Sequence, residues 1–92
     1  MNMQTEEQLE KEYWQQVEAG ENRPVIRIQQ PDAMFHSVSL PCAVLCGGKV
    51  TFQNSDLRGA SLKGVLVAKL VRCTLRETEL PECSEMLDCD IQ

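Results

Sequence analysis

A five-residue pattern, in which a small residue is followed two positions later by a large apolar residue, recurs through much of this 92-residue chain. It is plainest in the stretch SDLRGASLKG, where Leu57 and Leu62 each follow a small residue and a glycine ends each unit. Successive residues of a β-strand point to opposite faces, so side chains that share a face lie two positions apart. The pattern therefore predicts strands that present small and large side chains to a core.

The pattern extends in both directions from this stretch, but its spacing is not constant. Further pairs are Val38 and Leu40, Ala43 and Leu45, Val50 and Phe52, Val65 and Val67, Ala68 and Leu70, Cys73 and Leu75, Thr78 and Leu80, Ser84 and Met86, and Cys89 and Ile91. The five-residue spacing breaks from Leu45 to Phe52, from Val67 to Leu70 and from Leu80 to Met86. Stacked repeats depend on contacts between equivalent positions, so these breaks favour an irregular β region.

The N-terminal part of the chain has the signals of one helix. Thr5 and Gln8 have the spacing of a capping box, and Glu6 and Glu7 would lie in the first turn, where the helix dipole favours negative charge. Apolar residues then recur at helical spacing, at Leu9, Tyr13 and Val17. We expect a helix over about residues 5–19 that ends before Gly20 and packs on the β region.

The rest of the chain contains β-prone segments and turns, among them VIRIQQ, KVTFQ and VLVAKLVRCTL, with a turn expected at Gly47 and Gly48. We predict one α+β domain over residues 1–92, with the helix packed on a small, mostly antiparallel β region at 25–80. An acidic tail at 77–92 follows. The alternative is a short β-solenoid.

The segments SDLRG, ASLKG, AKLVR, CTLRE and TELPE resemble the units of the pentapeptide-repeat family. The resemblance covers residues 38–92 and implies a four-sided, right-handed β-solenoid with about twenty residues per coil. Family members that act on DNA gyrase imitate duplex DNA. The resemblance thus implies, as one alternative function, a nucleic-acid mimic that binds a topoisomerase.

Charge is distributed unevenly along the chain, whose net charge is -5. Residues 1–24 carry six acids and two bases, residues 25–76 carry two acids and seven bases, and residues 77–92 carry six acids and no base. Such asymmetry is typical of an interaction surface. The acidic candidates for partner binding are Glu77, Glu79, Glu82, Glu85, Asp88 and Asp90. The basic candidates, for a partner or for a guide RNA or DNA backbone, are Arg58, Lys63, Lys69, Arg72 and Arg76. Alternatively, the acidic ends neutralise the basic middle.

Catalytic motifs are missing from the sequence. His36 is the single histidine, and the glycines lack the spacing of phosphate-binding loops. The five cysteines include one close pair, in CAVLC, so a small zinc or thiol module stays open as an alternative function. Apart from that alternative, we expect a protein that is not an enzyme and that binds no cofactor and no small-molecule substrate.

The acidic N-terminus and the lack of a long apolar run lead us to expect no membrane partner and a cytoplasmic location. In size, charge and lack of motifs, the chain resembles small inhibitors that bacteriophages make, such as anti-CRISPR and anti-restriction proteins. This resemblance implies a non-enzymatic inhibitor that blocks a nucleic-acid-binding site on a host protein or nucleoprotein complex, such as a CRISPR effector.

Overall fold

The structure is a computed structural model that describes residues 4–91. Helix α1 spans Glu6–Glu18, and Thr5 and Gln8 form the capping box that the sequence predicts. Five strands follow: β1 Val25–Arg27, β2 Asp32–His36, β3 Val44–Gln53, β4 Ser61–Val71 and β5 Cys83–Leu87.

All four strand pairings are parallel, so the prediction of a mostly antiparallel region is wrong. β1 and β2 both pair with β3, β3 pairs with β4, and β4 pairs with β5. Antiparallel neighbours need only a tight turn, whereas parallel neighbours need a longer connection. Here that connection is the remainder of a coil, and the chain forms the solenoid-like stack that was the alternative prediction.

Four coils are stacked, at residues 25–43, 44–60, 61–78 and 79–91. One line of pairs across the stack joins Val25 to Val44, Val44 to Ser61, and Ser61 to Glu79. A second line joins Ser39, Asp56, Thr74 and Asp90, which lie 17, 18 and 16 positions apart. The coils are thus shorter than the twenty or so residues that the family resemblance implies.

The breaks in the five-residue pattern all fall at the same place in the coil. Phe52, Leu70 and Met86 each begin a run of regular units, and they stack on one another in adjacent strands. Each full coil therefore contains three small-and-large pairs plus one longer connection. Val67 is not the centre of a unit, because its side chain is only partly buried while that of Val65 is buried.

The core consists of three columns of these inward-facing pairs. Phe35, Phe52 and Leu70 are fully buried in one column, with the rings of Phe35 and Phe52 5.6 Å apart between centroids. Leu40, Leu57 and Leu75 occupy the second column, and Ile26, Leu45 and Leu62 occupy the third. Close packing requires the small partner of each pair to leave room for these side chains.

Left-handed backbone conformations at the corners stack in the same way. One corner has positive φ at Ser37, Asn54, Arg72 and Asp88, and a second has it at Cys42, Gly59 and Glu77. The two glycines of SDLRGASLKG have different roles. Gly59 supplies the positive φ of a corner, at 69°. Gly64 follows an irregularity in the pairing of β3 with β4, and a Cβ there would lie 2.9 Å from the Cβ of Cys46.

Two sequence expectations differ from this arrangement in detail. Gly47 and Gly48 lie inside β3 rather than in a separate turn, because the long strand passes the irregular pairing without leaving the sheet. The acidic tail also contains a strand, since β5 adds to β4.

Candidate functional site

The N-terminal end of the stack is covered by α1. The buried side chains of Leu9 and Tyr13 pack on the core, and the hydroxyl of Tyr13 donates to the carbonyl of Pro41 at 2.8 Å. Side chains of α1 and of Gln4 also bond to the backbone of the first coil: Glu6 to His36, Glu10 to Ser39, Gln16 to Val25, and Gln4 to Arg27 and Gln29. A carboxylate that accepts from a backbone N–H is stabilised in its charged form, and the amide of His36 lowers the pKa of Glu6.

At the other end, the fourth coil pairs on one side only within residues 4–91. We call its outer edge, formed by residues 79–91, the open end. Met86 and Ile91 cover the fully buried Leu70 and Leu75 of the third coil, yet are themselves 43% and 53% exposed. Within the described part of the chain, the fourth coil thus covers the core without being covered in turn.

The backbone at the open end directs hydrogen-bonding groups that have no partner among residues 4–91 away from the stack. The carbonyl of Leu87 accepts from the amide of Arg72 at 2.8 Å, so Leu87 faces the third coil. Peptide groups alternate in direction along a strand, so Ser84 and Met86 direct their N–H and C=O groups outward. Edges of this kind are templates for another strand.

Four carboxylates near the open end have no ion-pair partner among the described residues. These are Glu77, Glu82, Glu85 and Asp88, which we call the free carboxylate set. Glu77 and Asp88 occupy left-handed corners, and Glu85 lies in β5. All four are exposed, with Glu77 at the end of the third coil and the other three on the fourth.

The other two predicted acids are paired within the chain. Glu79 contacts Lys63 at 3.0 Å, and Asp90 contacts Arg76 at 3.2 Å. The hydrogen bond from Lys63 lowers the pKa of Glu79. These pairs join the basic middle to the acidic tail, so the two segments partly neutralise each other.

The five predicted basic residues do not form one uniform surface. Arg58 makes two 2.9 Å contacts with Asp56, which raise the pKa of its guanidinium. Lys63 and Arg76 form ion pairs with Glu79 and Asp90 of the acidic tail. Lys69 and Arg72 make no ion pair within the described part of the chain. Lys69 lies beside Glu85 in the register of β4 and β5.

The cysteines lie on several coils of the solenoid, and Cys73 and Cys89 are neighbours in adjacent coils. Cys42 and Cys83 are exposed, Cys46 and Cys89 are partly buried, and Cys73 is buried. Burial raises the pKa of the Cys73 thiol. Across residues 4–91, no group of three or more potential metal ligands lies together.

The open edge of β5 is a feature that sequence reasoning missed. Sequence reasoning assigns the tail only acidic candidates for partner binding, although the pairs Ser84 and Met86 and then Cys89 and Ile91 continue the core pattern. Those pairs were the signal for a fourth coil.

No helix in the described part of the chain has both the length and the apolar character needed to cross a membrane. Comparisons with protein-family models, with curated proteins and with solved structures each find no match for this chain.

Proposed function

We propose that this protein is a non-enzymatic binding protein whose acidic open end occupies a basic, nucleic-acid-binding surface of a partner. The observation that carries the proposal is the free carboxylate set: four exposed carboxylates without an ion-pair partner among the described residues, in a segment, 77–92, that contains no base. Carboxylates arranged on a rigid surface can take the place of phosphates in a basic channel. The partner class is a host protein or nucleoprotein complex, such as a CRISPR effector, inhibited in the manner of small phage proteins.

The rigidity of the solenoid supports this proposal. Glu82 and Glu85 are fixed by β5 or lie next to it, and the corners at Glu77 and Asp88 are repeated in the coils below. The backbone that carries these charges is already ordered, so binding costs little further backbone entropy. They also accelerate encounter with an oppositely charged surface, most strongly at low salt.

Two basic residues remain available for a second contact. Lys69 and Arg72 lie near the free carboxylate set without an ion pair among residues 4–91, so they could contact a guide RNA or a DNA backbone held by the same partner. Arg58, Lys63 and Arg76 contribute less to such a contact, because each is already paired with a carboxylate.

The test is affinity capture from a bacterial lysate, with and without nuclease, using the full chain and a variant with all six tail acids changed to lysine. We expect the full chain to retain a nucleic-acid-binding protein after nuclease treatment, and the added cognate nucleic acid to release it. We expect the variant to retain none. Equal capture by the variant, or no nucleic-acid-binding protein retained by the full chain, would refute the proposal.

A second candidate function is a solenoid nucleic-acid mimic that binds a topoisomerase. The observation that favours it is the parallel stack of coils with small-and-large inward pairs. Inhibition of DNA supercoiling by purified gyrase tests this candidate. Inhibition that charge reversal of the tail removes would support it, and unchanged supercoiling at saturating protein would exclude it.

A further inference from the structure

We propose that the open end binds a basic, extended polypeptide segment by strand addition to β5. This inference rests on the proposed function and specifies how the partner is recognised. An extended segment that pairs with an exposed sheet edge gains main-chain hydrogen bonds, and the positions of its side chains determine specificity.

The backbone of β5 has the groups that such a segment needs. Because Leu87 faces the third coil through its bond with Arg72, the N–H and C=O groups of Ser84 and Met86 point away from the stack. The same argument applies to Cys89 and Ile91, since Asp90 exchanges bonds with Cys73 and Leu75. The edge therefore continues beyond β5 into the next face of the coil.

The side chains at the edge define an alternating sequence for the segment. Ser84 and Met86 continue the inward column above Ala68 and Leu70, so an added strand would place apolar residues over them. On the outer face, the added strand would lie beside Glu85, which is exposed. Lysine or arginine at alternate positions would place one cation beside Glu85 and others toward Glu82 and Asp88, which flank β5.

A second copy of this chain fits the edge less well than a basic segment. Glu85 is the central residue of the five-residue β5, so an antiparallel twofold pairing centred there would place Glu85 against its own copy. Like charges that are directly opposite in a sheet destabilise it, and each copy carries a net charge of -5. The opposite end of the stack is covered by α1, which excludes head-to-tail stacking on the first coil as described.

The experiment measures binding of a fluorescent peptide, KVKVKVK, to the full-length protein by anisotropy. There are two control peptides. EVEVEVE keeps the alternation but has negative charge, and KKKKVVV keeps the positive charge but does not alternate. We expect KVKVKVK to bind at least about tenfold more tightly than either control, because only it supplies both main-chain pairing and charge in register. Equal binding of KKKKVVV would show that charge alone is recognised and would overturn the proposal.

One backbone change, with a matched control at the same residue, tests strand addition directly. Ser84→Pro removes an outward N–H and leaves the bonds to β4, whereas Ser84→Ala keeps that N–H and is the matched control. We expect Ser84→Pro to bind the peptide about tenfold more weakly than Ser84→Ala, which keeps the backbone donor. Equal binding by the proline and alanine variants would overturn the proposal.

The peptide backbone gives a test that does not depend on how the protein variants fold. KVKVKVK is N-methylated either at all its valines or at all its lysines. Since alternate amides of an added strand face its partner, we expect one of the two forms to lose binding and the other to keep it. If both forms bind like the parent peptide, strand addition is excluded. A stable dimer of the protein that Ser84→Pro dissociates would instead identify a second copy as the occupant and would also overturn the proposal.

Failure of this inference can be told apart from failure of the proposed function. If the captured partner still binds Ser84→Pro but no longer binds the variant with the tail acids reversed, the acidic end binds its partner through side chains alone. Only the strand-addition inference then falls. If the partner binds both variants as tightly as the parent protein, the proposed function is refuted as well.

Discussion

The ammonium nitrogen of Lys63 lies 3.0 Å from a carboxylate oxygen of Glu79, on the next coil of the stack. Lys63 belongs to the basic middle of the chain and Glu79 to its acidic tail. Together with the contact between Arg76 and Asp90, this pair reduces the acids available to a partner to the free carboxylate set.

The variant Lys63→Gln tests this ion pair through the pH dependence of stability and through the pKa of Glu79. Because Lys63 lowers the pKa of Glu79 in the folded state, the pair contributes stability above the ordinary pKa of 4.5, and the contribution is lost as pH falls through the lowered value. We expect a small destabilisation near neutral pH that disappears as pH falls below the lowered pKa of Glu79, with that pKa returning toward 4.5 in the variant. Urea unfolding and an NMR titration measure the two effects. Lys69→Gln, which removes the same charge from a residue without an ion pair in residues 4–91, should leave the pKa of Glu79 unchanged.

The corner that contains Cys42 and Gly59 predicts opposite effects for two substitutions. Gly59 has φ 69° and a Cβ there would lie 3.1 Å from the sulfur of Cys42, so we expect Gly59→Ala to destabilise the fold by about 1–2 kcal/mol. Cys42 itself has φ 64°, so Cys42→Gly should be neutral or stabilising by up to about 1 kcal/mol. Urea denaturation measures both changes. Gly20→Ala is a control with positive φ and open space around the new methyl group. A Gly59→Ala variant as stable as the parent would contradict the assigned corner.

Leu70 and Met86 occupy the same inward column but should differ in their energetic contribution. Leu70 is fully buried in the third coil, and Leu70→Ala should cost about 2–5 kcal/mol. Met86 is 43% exposed at the open end, so Met86→Ala should cost less than about 1.5 kcal/mol. Thermal and urea unfolding give both values. Comparable losses at the two positions would show that the fourth coil is covered in solution.

Thiol labelling under native conditions should follow the position of each cysteine in the stack. Cys42 and Cys83 are exposed and should react first with a maleimide, whereas Cys73 should react last because it is buried and burial raises its pKa. Mass spectrometry of digested protein at successive times gives the order. All five thiols should react at similar rates in urea. Early modification of Cys73 in the native protein would contradict the assigned core.

The inward pairs were predictable from the sequence, but the way they stack was not. Nearly every pair identified by spacing, from Val38 and Leu40 to Cys89 and Ile91, points into the solenoid. The coils were not recognised because the five-residue spacing breaks. Each break falls at the same place in its coil, but this regularity can be seen only once the length of a coil is known. Pairing direction was missed because inward alternation is the same in parallel and antiparallel strands. Ion pairs such as Arg76 with Asp90 join residues on different coils. They could not be predicted, because the register between adjacent coils was not known from the sequence.

The most direct test of the acidic open end compares two variants with equal charge change in binding to the captured, purified partner. One variant changes the free carboxylate set, Glu77, Glu82, Glu85 and Asp88, to lysine. The other changes four exposed acids at the opposite end, Glu7, Glu12, Glu18 and Glu21, to lysine. Isothermal titration calorimetry should show loss of binding for the first variant and, at physiological salt, near-normal affinity for the second. Equal loss in both variants, or retained affinity in the first, would contradict the account.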